Sequence, residues 1–194
     1  MVDLYRAYPP EFYARNTVIV ARELIGSFLC RKLEDASVLW GPIVEDEAYR
    51  QHEPASHAAR GPTPRCQVMF GPPGYAYVYF IYGRYHCLNV VTEEAGYGAA
   101  VLLRAVGADQ TKGPGKLCET WDIGFQHNGI SLMNPGFSLW ICPGDRPGPE
   151  LIVCSRRVGI TKAEELPWRF YLKGHPSVSG PKFPGSGKKR QSQN

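Results

Sequence analysis

Residues 75–91 (Tyr-Ala-Tyr-Val-Tyr-Phe-Ile-Tyr-Gly-Arg-Tyr-His-Cys-Leu-Asn-Val-Val) constrain this chain more than any other stretch. β-Branched and aromatic residues fill both arms around Gly83, and glycine supplies the positive φ of a tight turn. The pattern predicts two strands joined by a two-residue turn at Gly83-Arg84. Alternation puts Tyr75, Tyr77, Tyr79 and Ile81 on one face and Val78, Phe80 and Tyr82 on the other, so both faces have something to bury or to offer a partner. A turn normally faces water, because a buried one strands backbone polar groups. Tyr82 and Arg84 at the tip therefore have two readings: stacking on bases and pairing with phosphate in a nucleic acid, or a hairpin packed tip-down against another element.

At 194 residues the chain is expected to form one domain over 1–194, long enough to bury a substantial core. It contains 21 glycines and 17 prolines, yet its 43% hydrophobic content argues against general disorder and for short elements joined by long shaped loops. No apolar run approaches the roughly 18 residues of a membrane span, and residues 1–10 lack the apolar core of a signal peptide, so a soluble, intracellular protein is expected. Cys30, Cys66, Cys87, Cys118, Cys142 and Cys154 form no CxxC pair, which argues against a zinc ribbon and against a disulfide framework. The net charge of +4 equals the contribution of Lys182, Lys188, Lys189 and Arg190, with no acid beyond them. The body is balanced, and any nucleic-acid contact has to be a local patch.

Along the chain, residues 1–15 are expected to lie over the surface. Asn16 or Thr17 can cap a helix running to Ile25, with Val18, Ala21, Leu24 and Ile25 facing inward and Gly26 as the stop. Residues 27–33 read as a strand, and residues 38–49 as a second one interrupted near Gly41-Pro42. On the latter, Glu45, Glu47 and Tyr49 share one face and Asp46 takes the other. A long basic loop over 50–73 leads into the hairpin. Residues 99–106 form an apolar strand with one charge, Arg104, which requires a partner. A helix is expected over 114–123, and its start at Gly113-Pro114-Gly115-Lys116 points free N–H groups and a lysine at an anion, without the spacing of a P-loop. Strands follow at 139–142, 151–158 and 168–172. Beyond Gly174 the composition is that of a flexible tail, basic over 175–194.

Glu47 is the most suggestive acid. A carboxylate inside an apolar strand has a raised pKa, which suits a general base near neutrality. The alternative is structural, either a solvated strand end or pairing of Glu45 to Glu47 with Arg50, Arg60 or Arg104. His52, His57 and Cys66 suggest zinc only weakly, since their spacing is irregular and a deaminase-type PCxxC is absent. No GxSxG elbow anchors a triad, and no cofactor motif is present. A wedge at a hairpin tip, a carboxylate flanked by aromatics and a basic loop between them are together what an enzyme needs to extrude a base from a duplex and attack its sugar bond.

Residues 43–49 (Ile-Val-Glu-Asp-Glu-Ala-Tyr), His57 with 60–65 (Arg-Gly-Pro-Thr-Pro-Arg), 77–83, Asn89, 101–105 (Val-Leu-Leu-Arg-Ala), 113–118 (Gly-Pro-Gly-Lys-Leu-Cys) and 157–160 (Arg-Val-Gly-Ile) closely resemble the alkyladenine, or 3-methyladenine, DNA glycosylase family, in order from Thr17 to Ser179. The resemblance implies a single mixed α/β (α+β) domain with a central curved, largely antiparallel sheet, short flanking helices and a protruding β-hairpin. It implies a monofunctional, metal-free and cofactor-free enzyme that flips 3-methyladenine, 7-methylguanine or hypoxanthine from double-stranded DNA and hydrolyses the glycosidic bond, acting as a monomer in a bacterial cytoplasm. Glu47 matches the base that activates water, Arg104 the residue that helps hold that water, and the Val158 carbonyl completes the water site. Tyr49 and His57 stack on the purine, Tyr79 closes the pocket, Asn89 excludes guanine and Tyr82 is the wedge. Arg84 and Lys116 are candidates for the DNA backbone. No lysine occupies the matching pocket positions, so Schiff-base chemistry is not expected. Asp46, where relatives often carry Thr, and Arg84, where they often carry an apolar residue, are departures. Two other classes remain: a damage-binding protein without cleavage, and a zinc hydrolase or deaminase.

Overall fold

A computed structural model of the chain describes residues 3–181. Among these residues three α-helices, α1 (Pro10–Tyr13), α2 (Thr17–Leu24) and α3 (Pro114–Thr120), accompany eight strands. The strands are β1 (Phe28–Lys32), β2 (Val38–Tyr49), β3 (Ala76–Ile81), β4 (Tyr85–Val91), β5 (Ala100–Val106), β6 (Leu139–Cys142), β7 (Ile152–Ser155) and β8 (Arg169–Leu172). They form one antiparallel sheet in the order β3-β4-β5-β2-β1-β6, with β8 also on β2 and β7 on β8.

β2 is the spine. Its first half pairs with β1, and its second half lies between β5 and β8. The change of partners coincides with register shifts between Ile43 and Glu45 and between Glu45 and Asp46, which bend and twist the strand so that the sheet curls. The expected interruption at Gly41-Pro42 does not occur, since both residues stay paired with β1. Pro42 is tolerated because its missing N–H lies where the strand changes partners.

The helix capped by Asn16 forms as expected, with the Asn16 side chain accepting from the Val18 N–H at 3.0 Å. Its buried face carries Val20, Ala21 and Leu24, packed in one core with Ile43, Leu103 and Val106, while Val18 is only partly buried. Gly26 ends the helix at φ +92°, where a Cβ would sit 2.5 Å from the Asp145 carbonyl oxygen. Residues 3–15 are not a mere surface cover: Pro10 starts a helical turn, Tyr8 stacks on Phe12 at 3.8 Å, and Tyr13 is fully buried.

Four further expectations are corrected. The hairpin connection has three residues, Tyr82 to Arg84, because Ile81 pairs with Tyr85 and the Arg84 N–H donates to the Ile81 carbonyl. Tyr82 and Gly83 both take positive φ, +55° and +63°, a conformation that an aromatic residue rarely adopts. α3 stops at Thr120, three residues early, and β7 stops at Ser155, releasing Arg156 to Val158 into a loop. The segment beyond Gly174 begins as structure, not tail: Val178 and Ser179 are buried. The remainder of the expected basic tail, with Lys182, Lys188, Lys189 and Arg190, lies outside the described residues. Among the described residues no helix is long and apolar enough to cross a membrane.

Candidate active site

One face of the sheet, the loop before the hairpin, the start of α3 and the loop after β7 enclose a cavity of about 580 Å³, within the range of small-molecule sites. Tyr49, His57, Tyr79, Asn89, Arg104 and Val158 all line it, with Tyr82 and Lys116 at its mouth. Residues from 49 to 158 in sequence thus converge on one opening.

Glu47 is fully buried and does not line the cavity itself; it lies behind Tyr49, Arg104 and Val158, which do. Its Oε1 accepts the Val158 N–H at 2.8 Å and meets Arg104 Nη1 at 3.3 Å, and its Oε2 accepts the Tyr49 hydroxyl at 2.8 Å. Burial pushes the carboxyl above the ordinary range, and Arg104, the Val158 amide and the Tyr49 hydroxyl pull it back by stabilising the anion. At Val158, then, it is the amide that faces the carboxylate.

Arg104 is held on both sides. Its Nε donates to Glu45 Oε1 at 2.9 Å and its Nη2 to Ser179 Oγ at 3.1 Å. Glu45 in turn accepts from Arg169 Nε at 2.8 Å and from the Ser179 N–H at 2.6 Å, while Arg169 Nη2 donates to the Ser179 carbonyl. Each group in this network is buried and partnered, which is the condition for charges to be tolerated away from water. Of the structural pairings open to Glu45 to Glu47, the one with Arg104 forms; Arg50 pairs with Glu93 instead.

The aromatic wall follows from alternation on the hairpin. Tyr77 and Tyr79 share a face, and the His57 ring meets Tyr79 edge-on at 4.6 Å while its Nδ1 hydrogen-bonds the Tyr77 hydroxyl at 2.9 Å. Partial desolvation, then the Arg65 guanidinium, hold His57 below its ordinary pKa, so it is neutral at pH 7. Asn89 Nδ2 donates to the Tyr77 carbonyl at 3.0 Å, which fixes the amide in the wall. Tyr82 stands 83% exposed at the tip, on the cavity rim. Arg84 and Lys116 share Glu119, at 3.8 Å and 2.7 Å, so neither is a free cation. Lys116 lines the mouth, outside the positions matched to the base pocket.

Of the weak zinc set, Cys66 is buried with its thiol toward the His57 carbonyl at 3.4 Å, and among the described residues no three metal-ligating groups gather. Four residues of this site were not singled out from sequence. Arg169 carried the same signal as Arg104, one charge in an apolar strand. Ser179, Arg157 and Glu53 carried none beyond their place in or near matched motifs.

The family model for methylpurine-DNA glycosylase matches residues 11–110 and 107–176. A protein of Carboxydothermus hydrogenoformans named "Putative 3-methyladenine DNA glycosylase" is 44% identical over 188 residues, covering 88% of this chain and 97% of its own. Relatives of the same name from Synechococcus sp. (42% identical; 87% and 97% covered) and Methanoculleus marisnigri (46%; 88% and 97%) match as fully. With matches of this extent, and with the cavity built from the same motifs, the chain belongs to the methylpurine-DNA glycosylase family.

Proposed function

We propose that this protein is a monofunctional glycosylase that turns an alkylated or deaminated purine out of duplex DNA into the cavity and hydrolyses its glycosidic bond, leaving an abasic site. The observation that carries this reading is the buried Glu47 carboxylate, held by Arg104, Tyr49 and the Val158 amide just behind the wall of an aromatic cavity. Tyr82 fills the vacated stack, and Tyr49, His57 and Tyr79 enclose the base. Water entering between Arg104 and Val158 gives up a proton to Glu47 as it attacks C1′, and the carboxylate offsets the positive charge that develops on the sugar. A cationic 3-methyladenine or 7-methylguanine is already a good leaving group; neutral hypoxanthine requires protonation. Asn89 leaves no room for a guanine amino group. The protein would act as a monomer on DNA in the cytoplasm.

Lys116 is a poor candidate for a Schiff base. Its hydrogen bond to Glu119 raises its pKa, whereas an amine nucleophile must be neutral. A second reading, capture of damaged duplex without cleavage, draws on one observation: Glu47 is closed off behind its three partners. Duplexes with a single hypoxanthine or 3-methyladenine separate the two. Strand breaks that form only after alkali are expected. Breaks without alkali would indicate a lyase, and tight binding with no breaks on either lesion would favour capture alone.

A further inference from the structure

Arg157 is among the most enclosed charges in the molecule, and the reaction proposed above gives it no part. Its side chain is fully buried, and Nη1 and Nη2 form a two-pronged bridge to Glu53 at 2.6 Å and 2.9 Å. Nη1 also donates to the Ala48 carbonyl at 3.0 Å, and Nη2 to the Ala163 carbonyl at 3.4 Å. The guanidinium lies over the Tyr49 ring, 4.6 Å from its centroid. One planar group therefore ties the end of β2, the loop that carries Glu53 and the loop after β7 to each other. A buried ion pair of this kind is a weak stability device, because hydrophobic groups of equal volume do as well or better. Its place against the Tyr49 ring and beside Val158 points to another use.

The loop and the ring it clamps carry the two uncharged donors on Glu47. Val158, whose N–H meets Oε1, is the next residue in the chain, and Tyr49, whose hydroxyl meets Oε2, is the ring beneath the guanidinium. We infer that Arg157 is a positioning residue, anchored by Glu53, that holds the Val158 amide and the Tyr49 hydroxyl on the Glu47 carboxylate. Its contribution to catalysis rests on the glycosylase reading; its effect on Glu47 does not.

The other groups facing Glu47 are Arg104 on β5, Tyr79 on β3, Cys87 on β4, and Glu45 and Asp46 on β2 itself, with Arg169 of β8 behind Glu45. The hydrogen bonds of Arg157 go instead to Ala48, Glu53 and Ala163, so a change at residue 157 reaches Glu47 through the two donors. Both donors favour the anion, and loosening them raises the pKa of a carboxyl that must be ionised to accept a proton.

The test is a carboxyl-carbon NMR titration of glutamate-labelled protein, with the Glu47 signal assigned by its loss in Glu47→Gln, alongside single-turnover excision of hypoxanthine against pH. Arg157→Lys keeps the charge and loses the planar fork, and Glu53→Gln loosens the same anchor while leaving Arg157 in place. In both, the Glu47 pKa is expected to rise by about one unit. The acid limb of the rate profile should move up with it, and the rate should recover toward wild type as pH rises. An unchanged Glu47 pKa, or a rate lowered equally at every pH, would overturn the inference. Should Arg157→Lys not fold, Glu53→Gln decides alone. Absence of excision by the wild type would count against the glycosylase reading, while the NMR titration would still decide the role of Arg157.

Discussion

Adjacent residues on β2 meet opposite fates. Glu45 and Glu47 point to the side of the cavity, where two arginines, an amide, a hydroxyl and Ser179 satisfy them. Asp46 points to the other side, level with Leu103 of β5 and Phe170 of β8, and neither of its oxygens has a hydrogen-bond partner. Burial, with Glu45 and Glu47 adding repulsion, pushes Asp46 well above the usual carboxylate range. All three carboxyls are fully buried, so burial alone does not make a functional acid. What separates them is whether the surroundings stabilise the anion. On the side of Glu47 charged and hydrogen-bonding groups do so; on the side of Asp46 nothing offsets the cost of burying a charge.

Substitutions can break this contrast. Glu45→Gln should have the largest effect, because it leaves Arg104 and Arg169 buried against a neutral group; a loss of about 3–5 kcal/mol is expected by denaturant unfolding. A loss below 1 kcal/mol would show the network to be slack. Arg104→Met should slow single-turnover excision on the order of 100-fold by removing the charge beside Glu47, and an unchanged rate would take Arg104 out of the site.

Asp46→Leu should act in the opposite direction. Replacing a buried unpaired carboxyl by an isosteric apolar group is expected to stabilise the fold by about 1–3 kcal/mol with no loss of excision rate. The pH dependence sharpens the point. A folded-state pKa raised above the ordinary 3.8 means that the native state binds the proton more tightly than the unfolded chain does. The Asp46 contribution is then fully present below 3.8 and is lost as pH rises through the folded-state value. Stability should fall with pH across that window in the wild type and fall less in Asp46→Leu. Identical slopes would mean that Asp46 has a partner after all. Tyr82→Ser, away from both faces at the hairpin tip, should weaken lesion-duplex binding by about tenfold, read by fluorescence anisotropy, without changing stability. Unchanged affinity would remove the wedge.

The sheet and much of the cavity wall were legible because they depend on short-range patterns. Period-two alternation alone puts Glu47 and Tyr49 on one face and the hairpin tyrosines on another, and a lone charge in an apolar strand announces that Arg104 has a partner. What stayed hidden depends on distant chain. Ser179 sits in a Pro- and Ser-rich stretch that reads as tail, and only the buried charges of Glu45 and Arg169, far away in sequence, hold its backbone in place. The bend in β2 comes from a change of strand partners, not from Gly41-Pro42, and the same bend helps enclose Glu47. Arg157 enters the sequence reading only as the first residue of a matched motif, and it takes the fold to place Tyr49 beneath it.

Glu47→Gln removes the proposed base alone, and its effect is read by single-turnover excision and by binding to the same hypoxanthine duplex. The amide keeps the shape of the carboxylate but cannot accept a proton from water. The rate should fall by at least about 1,000-fold while affinity for the lesion duplex stays near that of the wild type. A variant that excises at close to the wild-type rate would contradict the role given to Glu47 and to the face of β2 that carries it.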